Sequence, residues 1–344
     1  MNMNMNMNTN RINFRRSYKS IGFALSVLLL GAAMTFSVMF GLRTYSWEQI
    51  VSAYMQFNGS NEHIIIQTAR VPRALIAALV GGSLAVAGAL MQAITHNPLA
   101  SPSIFGVNAG AAFAIVLSVA LFNVSGLSQF TWIAFLGAAV SAGLVYTLGS
   151  LGRDGLTPIK ITLAGSAMSA FFAALTQGIL LASGKAFDQV LFWLVGSVAG
   201  RTMDMFLSVF PYMLAAIIGA FLLASPINVL SMGEDVAKGL GQRTALVKAA
   251  AAVVIVLLAG GSVAVAGPVV FVGIIVPHVA RFLVGTDHRW LLPYCAVLGA
   301  LLLVSADIAA RFIAMPKEVQ VGVTTALLGV PFFVYIARKG GLPG

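Results

Sequence analysis

The ionisable side chains of this sequence are few, and their clusters suit ion pairing and helix capping better than catalysis. Arg70 and Arg73 flank Pro72. Asp307 and Arg311 stand four residues apart inside the apolar stretch Leu301–Phe312, the spacing at which two side chains meet on one helix face. A carboxylate at membrane depth is an expensive group, so Asp307 is read as structural, positioning Arg311. Glu234 and Asp235 follow Ser231 and Gly233, where a serine with a glutamate three residues on can cap a helix reciprocally and both carboxylates favour its N-terminus. His278 has no Cys, Asp or second His three or four residues on, so no metal ligand set forms around it. His278 and Arg281 are read as capping or bridging groups. Cys295, the single cysteine, cannot form an internal disulfide and reads as a packing residue. No Gly-x-x-x-x-Gly-Lys-[Ser/Thr] phosphate loop and no His-Glu-x-x-His motif occurs. The sequence therefore offers no catalytic residue and no metal site, and the chain is expected not to be an enzyme.

The elements that must position these residues are membrane helices. Of 344 residues, 59% are hydrophobic and 9% charged, where a soluble domain carries about 25% charged residues. The apolar runs are continuous rather than alternating, which excludes a β-barrel. The spans are expected near 21–42, 72–93, 103–122, 129–149, 160–182, 204–224, 245–266, 269–284, 291–313 and 321–338. The fold class is all-α, a polytopic membrane protein with about ten transmembrane helices in a single bundle. Met1–Asn10 repeats Met-Asn, and residues 1–20 are read as a disordered cytoplasmic tail before a transmembrane domain over 21–339. The apolar run Ile21–Leu42 is about twice the length of a signal-peptide core, so it is read as a retained first helix. Ten crossings place both termini in the cytoplasm, with thirteen Lys and Arg inside against seven outside. In this setting the net charge of +10 reflects topology and not nucleic-acid binding. Ser46–Phe57 reads as an outer interfacial helix and Gln189–Ala199 as a re-entrant or surface helix. Pro226 is expected to end the sixth span, Ser231 to cap a short cytoplasmic helix, and Gly239 or Gly241 to terminate it.

Three motifs carry a resemblance to a known family. Arg70, Pro72, Arg73, Gly88, Met91, Gln92, Asn97, Pro98, Leu99, Ala100, Pro102, Gly106 and Gly110 fill one long pattern. Gly233-Glu-Asp-Val-Ala-Lys-Gly-Leu-Gly241 fills a second, and Gly267-Pro through Pro277-His278-Val-Ala-Arg281 a third. The chain, from about residue 21 to 339, resembles the FecCD-type permease subunits of ABC importers for iron–siderophore complexes and vitamin B12. The resemblance implies a BtuC-like bundle that works as a dimer with an identical or paralogous permease. Two ATP-binding cassette subunits would carry ATP and Mg, so this chain needs no cofactor, and an extracytoplasmic substrate-binding protein would deliver the cargo. Arg70, Arg73 and Arg311 would receive that protein's acidic residues. Ser231, Gly233, Glu234, Asp235, Ala237, Gly239, Leu240 and Gly241 would form the coupling helix that fits the ATPase.

The same resemblance places cytoplasmic gate loops at His96–Leu99 (Asn97, Pro98 and Leu99) and at Leu156–Pro158 (with Thr157). It lays the substrate path along the fifth and tenth spans, where Thr162, Ser166, Ser169 and Thr176, and Thr324 and Thr325, form mildly polar stripes. Interhelical hydrogen bonding accounts for such stripes equally well. The implied function is translocation of ferric siderophores across the bacterial cytoplasmic membrane, with vitamin B12 or haem as alternatives. An ion-driven secondary transporter and a non-transporting receptor are the rivals of other classes. The first lacks further buried carboxylates, and the second does not account for the coupling-helix pattern.

Overall fold

The computed structural model describes residues 2–41, 43–151, 157–315 and 317–338, and every regular element among them is helical. The helices are α1 (Asn2–Met39), α2 (Trp47–Met55), α3 (Asn61–Ile65), α4 (Val71–Thr95), α5 (Val107–Phe122), α6 (Leu127–Ser150), α7 (Pro158–Ala182), α8 (Gly184–Leu194), α9 (Met203–Leu230), α10 (Glu234–Gly239), α11 (Thr244–Ala266), α12 (Val272–Val284), α13 (His288–Ile313) and α14 (Val321–Arg338). Each of the ten expected spans has its helix. Seven helical stretches are long and apolar enough to cross a membrane, and Val107–Phe122, Val272–Val284 and Val321–Tyr335 are shorter apolar helices.

The bundle is organised around α4, which packs against α13, α11, α12 and α9. Small residues allow this. A side chain on Gly81 would overlap the Gly299 carbonyl, and one on Gly88 would overlap that of Gly273, so α4 lies backbone to backbone against α13 and α12. Lipid provides no hydrophobic drive for helices to associate, and such close approach supplies the dispersion contacts that do. α4 is buried along most of its length, whereas α1 and α7 turn broad apolar faces outward.

Several boundaries differ from the sequence reading. α1 extends upstream through the Met-Asn repeat to Asn2, although its membrane-length apolar stretch starts at Tyr18. The second span starts at Asn61, because a π-helical turn, Ile66–Arg70, joins α3 to α4 and admits Pro72 near the first turn. Pro226 does not end α9, which continues to Leu230. The missing N–H of Pro226 frees the Leu222 carbonyl, a loss that membrane helices tolerate, and the Pro226 carbonyl itself accepts from Gln242 Nε2 at 2.9 Å, tying the helix to the chain before α11. The span drawn at 103–122 divides into a 3₁₀ turn, Pro102–Phe105, and α5, hinged at Gly106 with φ 68°. The span drawn at 269–284 begins only at Val272, after irregular residues 267–271 and a left-handed Phe271. The amphipathic helix α2 lies within the range expected, whereas α8, drawn as a re-entrant or surface helix from Gln189, starts earlier, at Gly184.

Candidate functional site

At the end of the bundle expected to face outward, two of the three arginines singled out in the sequence, Arg73 and Arg311, converge on the Asp307 carboxylate, and Arg70 shares the Phe40 carbonyl with Arg311. Arg73 donates Nε to both Asp307 oxygens at 3.0 Å and Nη2 to Oδ1 at 2.8 Å. Its Nη1 reaches Glu318 Oε2 at 2.7 Å. Arg311 donates Nη2 to Asp307 Oδ2 at 2.5 Å and to Ser37 Oγ at 2.8 Å, while Nη1 reaches the Ser37 carbonyl at 2.6 Å. Arg70 donates to the carbonyls of Phe40 (3.0 Å) and Arg43 (3.2 Å) and lies over the Tyr45 ring. The cluster thus ties the end of α1 to the start of α4, the end of α13 and the α13–α14 loop. It holds three cations against two carboxylates, which leaves one net positive charge on this face.

The burial of these residues sorts their roles. Arg311 is fully buried, and with Asp307 at 1% exposure it forms the floor of the cluster. A docking role for Arg311 at the surface does not fit this placement, because the side chain is fully buried and its two terminal nitrogens are taken by Asp307, Ser37 and Phe40. The intrahelical Asp307–Arg311 pair is present as the i,i+4 spacing required. Arg70 is half-buried, and the Arg73 side chain is 12% exposed beside a Glu318 side chain at 28%. Sequence reasoning missed Glu318 and Ser37, since neither belongs to a motif and both meet the arginines only through tertiary contact.

At the opposite end of the bundle, α10 is a short helix of 6 residues followed by Gly241 at φ 79°. Ser231 does not cap it. Ser231 closes α9, with its Oγ donating to the Ile227 carbonyl at 2.8 Å, and Gly233 at φ 114° begins α10 with no side-chain cap. The reciprocal capping box lies instead on α2, between Ser46 and Gln49. Glu234 reaches away from the helix: Lys248 Nζ donates to it at 2.6 Å, Lys238 at 3.1 Å and Thr244 Oγ1 at 3.4 Å. The hydrogen bond from Lys248, with a smaller one from Lys238, outweighs burial, which acts the other way, and holds the Glu234 carboxyl below its ordinary range. Ala237 is buried against the bundle, while Val236 and Leu240 are exposed.

A cavity of about 600 Å³ lies beside α10. Its lining includes Asn97 and Pro98 of the expected gate loop, Ser231 and Met232 of the α9–α10 turn, and Arg281 and His288. Arg281 Nη2 donates to Gln92 Oε1, and Gln92 Nε2 donates to the Gly273 carbonyl at 3.1 Å, which fastens α4 to α12. Asn228 links Asp287 (2.6 Å) to His288 (2.8 Å). Arg281 therefore bridges helices as anticipated, whereas His278 packs edge-on against Phe332. Asn97 Oδ1 accepts from Leu99 N–H at 2.9 Å, shaping the loop after the left-handed His96. In the second gate loop, Thr157 caps α7 by accepting from Lys160 N–H at 3.4 Å, while Leu156 lies outside the described residues. Cys295 is a buried free thiol.

The polar stripes divide by helix. Thr162 and Ser166 of α7 are exposed, Ser169 is half-buried, and Thr176 is buried with its hydroxyl donating to the Phe172 carbonyl at 2.7 Å. Thr324 and Thr325 of α14 are buried, at 3% and 2% exposure, so they do not form an open lining in the single chain. No group of three or more His, Cys, Asp or Glu positioned to hold a metal occurs among the described residues.

Comparison with known proteins agrees with this architecture. Residues 28–339 match the model of the FecCD transport family. The chain is 56% identical to the Probable siderophore transport system permease protein YfiZ of Bacillus subtilis (strain 168), over 95% of this chain and 98% of that one. It is 43% identical to the Fe(3+)-citrate import system permease protein YfmD of the same organism, over 92% and 93%. It is 40% identical to the ferric enterobactin transport system permease protein FepD of Escherichia coli (strain K12), over 91% and 93%. Among solved structures it superposes on an inward-facing protein assigned as a metal-chelate type ABC transporter, with TM-score 0.81 and 29% identity over 92% of this chain and 98% of that one. PsaBC from Streptococcus pneumoniae shares the fold, with TM-score 0.57 at 17% identity over 86% and 100%. A continuous match over nearly the whole chain, on a bundle whose ten spans follow the expected order, places this multi-pass membrane protein in the FecCD transport family.

Proposed function

We propose that this chain is the membrane-spanning permease subunit of an ATP-driven, binding-protein-dependent importer of ferric siderophores. The observation that carries this reading is the 56% identity, across 95% of the chain, to a siderophore-system permease, backed by relatives named for ferric citrate and ferric hydroxamate. Vitamin B12 and haem are the secondary cargoes.

The chain works in the bacterial cytoplasmic membrane with both termini inside, paired with a second permease subunit. Two ATP-binding cassette subunits bind and hydrolyse ATP with Mg and grip α10. The exposed Val236 and Leu240 meet the ATPase, while Ala237 and the Glu234–Lys248 pair tie α10 to the bundle. An extracytoplasmic binding protein docks at the outer arginines, with Arg70 and Arg73 meeting its carboxylates and Arg311 and Asp307 supporting them from beneath. Asn97, Pro98, Leu99, Thr157 and Pro158 gate the inner side, and Thr162, Ser166 and Ser169 line the path. Alternation between outward- and inward-facing states, biased by nucleotide and binding protein, moves the cargo.

The geometry disfavours an ion-coupled carrier. Asp307 is the carboxylate inside the apolar stretch of α13, and it is already shared by Arg73 and Arg311. Both of its oxygens are already occupied by guanidinium N–H groups, which leaves no free face to coordinate a transported cation. Uptake of iron-loaded siderophore by energised cells tests the two readings. The importer loses uptake on ATP depletion and keeps it when an uncoupler acts with ATP maintained, and an ion-coupled carrier shows the reverse.

A further inference from the structure

Arg201 is a buried cation that the fold leaves without a counter-charge. It sits between α8 and α9 at 4% exposure. Its Nε donates to the Ser197 carbonyl at 3.3 Å, and neither Asp188 nor Asp204, the acids nearest in sequence, pairs with it. Burial without an anion disfavours the charged form and draws its pKa down to about 10. An unpaired guanidinium inside a membrane protein is strongly destabilising, and such groups mark ligand pathways.

The segment that carries Arg201 is firmly built. Ser197 N–H donates to the Ala266 carbonyl at 2.7 Å, and Gly322 N–H donates to the Gly196 carbonyl at 3.1 Å. These bonds join the end of α8, the end of α11 and the start of α14. The approach is so close that a side chain on Gly322 would overlap the Val195 carbonyl. On the segments that meet here, two buried polar atoms lack a partner: Trp193 Nε1, three residues before Gly196, and Thr324 Oγ1, two residues after Gly322. The indole N–H can only donate, the hydroxyl can donate, and the guanidinium can only donate. The junction is rich in donors and short of acceptors.

We infer that this junction is an anion-recognising site, in which Arg201 binds an oxygen of a negatively charged ferric chelate on its way through the bundle. The inference rests on the importer reading and narrows it to a cargo class, chelates whose iron-binding groups leave a net negative charge. A lipid phosphate offers the same anionic oxygen, and the neutral-chelate arm of the test separates the two sources.

The test is uptake by cells carrying the complete transporter with wild-type permease, Arg201→Gln or Arg201→Lys, each at equal membrane abundance. The probes are a trianionic ferric tris-catecholate, ferric citrate and a neutral ferric tris-hydroxamate. Arg201→Gln is expected to lose about tenfold or more of anionic-chelate uptake, as for a lost charge-assisted hydrogen bond, with neutral-chelate uptake changed less than twofold. Arg201→Lys, which keeps the charge, recovers a substantial part. Equal loss for both cargo types overturns the inference and makes Arg201 a partner for a protein carboxylate or a lipid. Unchanged uptake in Arg201→Gln also overturns it, as does a wild-type protein that takes up only the neutral chelate, and in both cases the importer reading stands. A wild-type protein that takes up none of the probes removes both.

Discussion

Arg73 and Asp307, 234 positions apart in sequence, are joined by three hydrogen bonds of 2.8 to 3.0 Å. Asp307 also holds Arg311, so one buried carboxylate fixes two guanidinium groups on α4 and α13. Replacing Asp307 by Asn leaves Arg311 without its counter-charge and Arg73 with Glu318 alone, and breaking a buried pair in this way destabilises by about 3–5 kcal/mol. The expected result is a clear fall in the thermal denaturation midpoint in detergent. Arg311→Met combined with Asp307→Asn should recover part of the loss, because the double change removes a stranded charge.

Glu318 occupies the more accessible edge of Arg73, at 2.7 Å. On the docking reading it competes with the carboxylate of the incoming binding protein. Glu318→Gln is expected to tighten that protein's binding several-fold, in line with the 0.2–1 kcal/mol typical of an exposed ion pair, and to steepen its salt dependence. Arg73→Glu should weaken binding at low salt. Surface-immobilised transporter titrated with its binding protein at two ionic strengths reads both effects.

Glu234 ties the coupling helix to Lys248 of α11. Glu234→Gln should leave helical content and membrane insertion intact, speed amide exchange over residues 234–241, and uncouple ATP hydrolysis from uptake. The pH dependence has a definite sign. Because Lys248 depresses the Glu234 carboxyl, the tie is present at neutral pH and is lost as the pH falls through that lowered value. Protection of α10 should therefore persist to mildly acidic pH in wild type and be absent throughout in Glu234→Gln.

The glycine contacts of α4 give a stability prediction with an internal control. Gly88 faces the backbone of Gly273 with no room for a side chain, whereas Gly143 of α6 has open space around it. Gly88→Val is expected to abolish accumulation of folded protein in the membrane. Gly143→Ala should be indistinguishable from wild type in abundance and in size-exclusion profile.

The spans were legible in the sequence because lipid imposes one requirement on them, a long uncharged helix, and length alone identifies it. The Asp307–Arg311 pair was equally legible, because its partners lie on one helix. The Arg73–Asp307 bond was not, since nothing local links positions so far apart. Ser231 misled for a related reason: its spacing to Glu234 satisfies a cap, but α9 runs on through Pro226 and takes Ser231 as its own last turn. Glu234 then found Lys248 through tertiary contact. Arg201 belongs to no motif, and its burial without an acidic partner follows from the packing of its segment against α11 and α14.

Uptake of radiolabelled iron, presented on a panel of siderophores to the host with and without this gene, tests the central claim most directly. The account predicts loss of uptake for one siderophore class, restored by the intact gene and not by the Glu234→Gln variant. Uptake unchanged across the panel without the gene would contradict it.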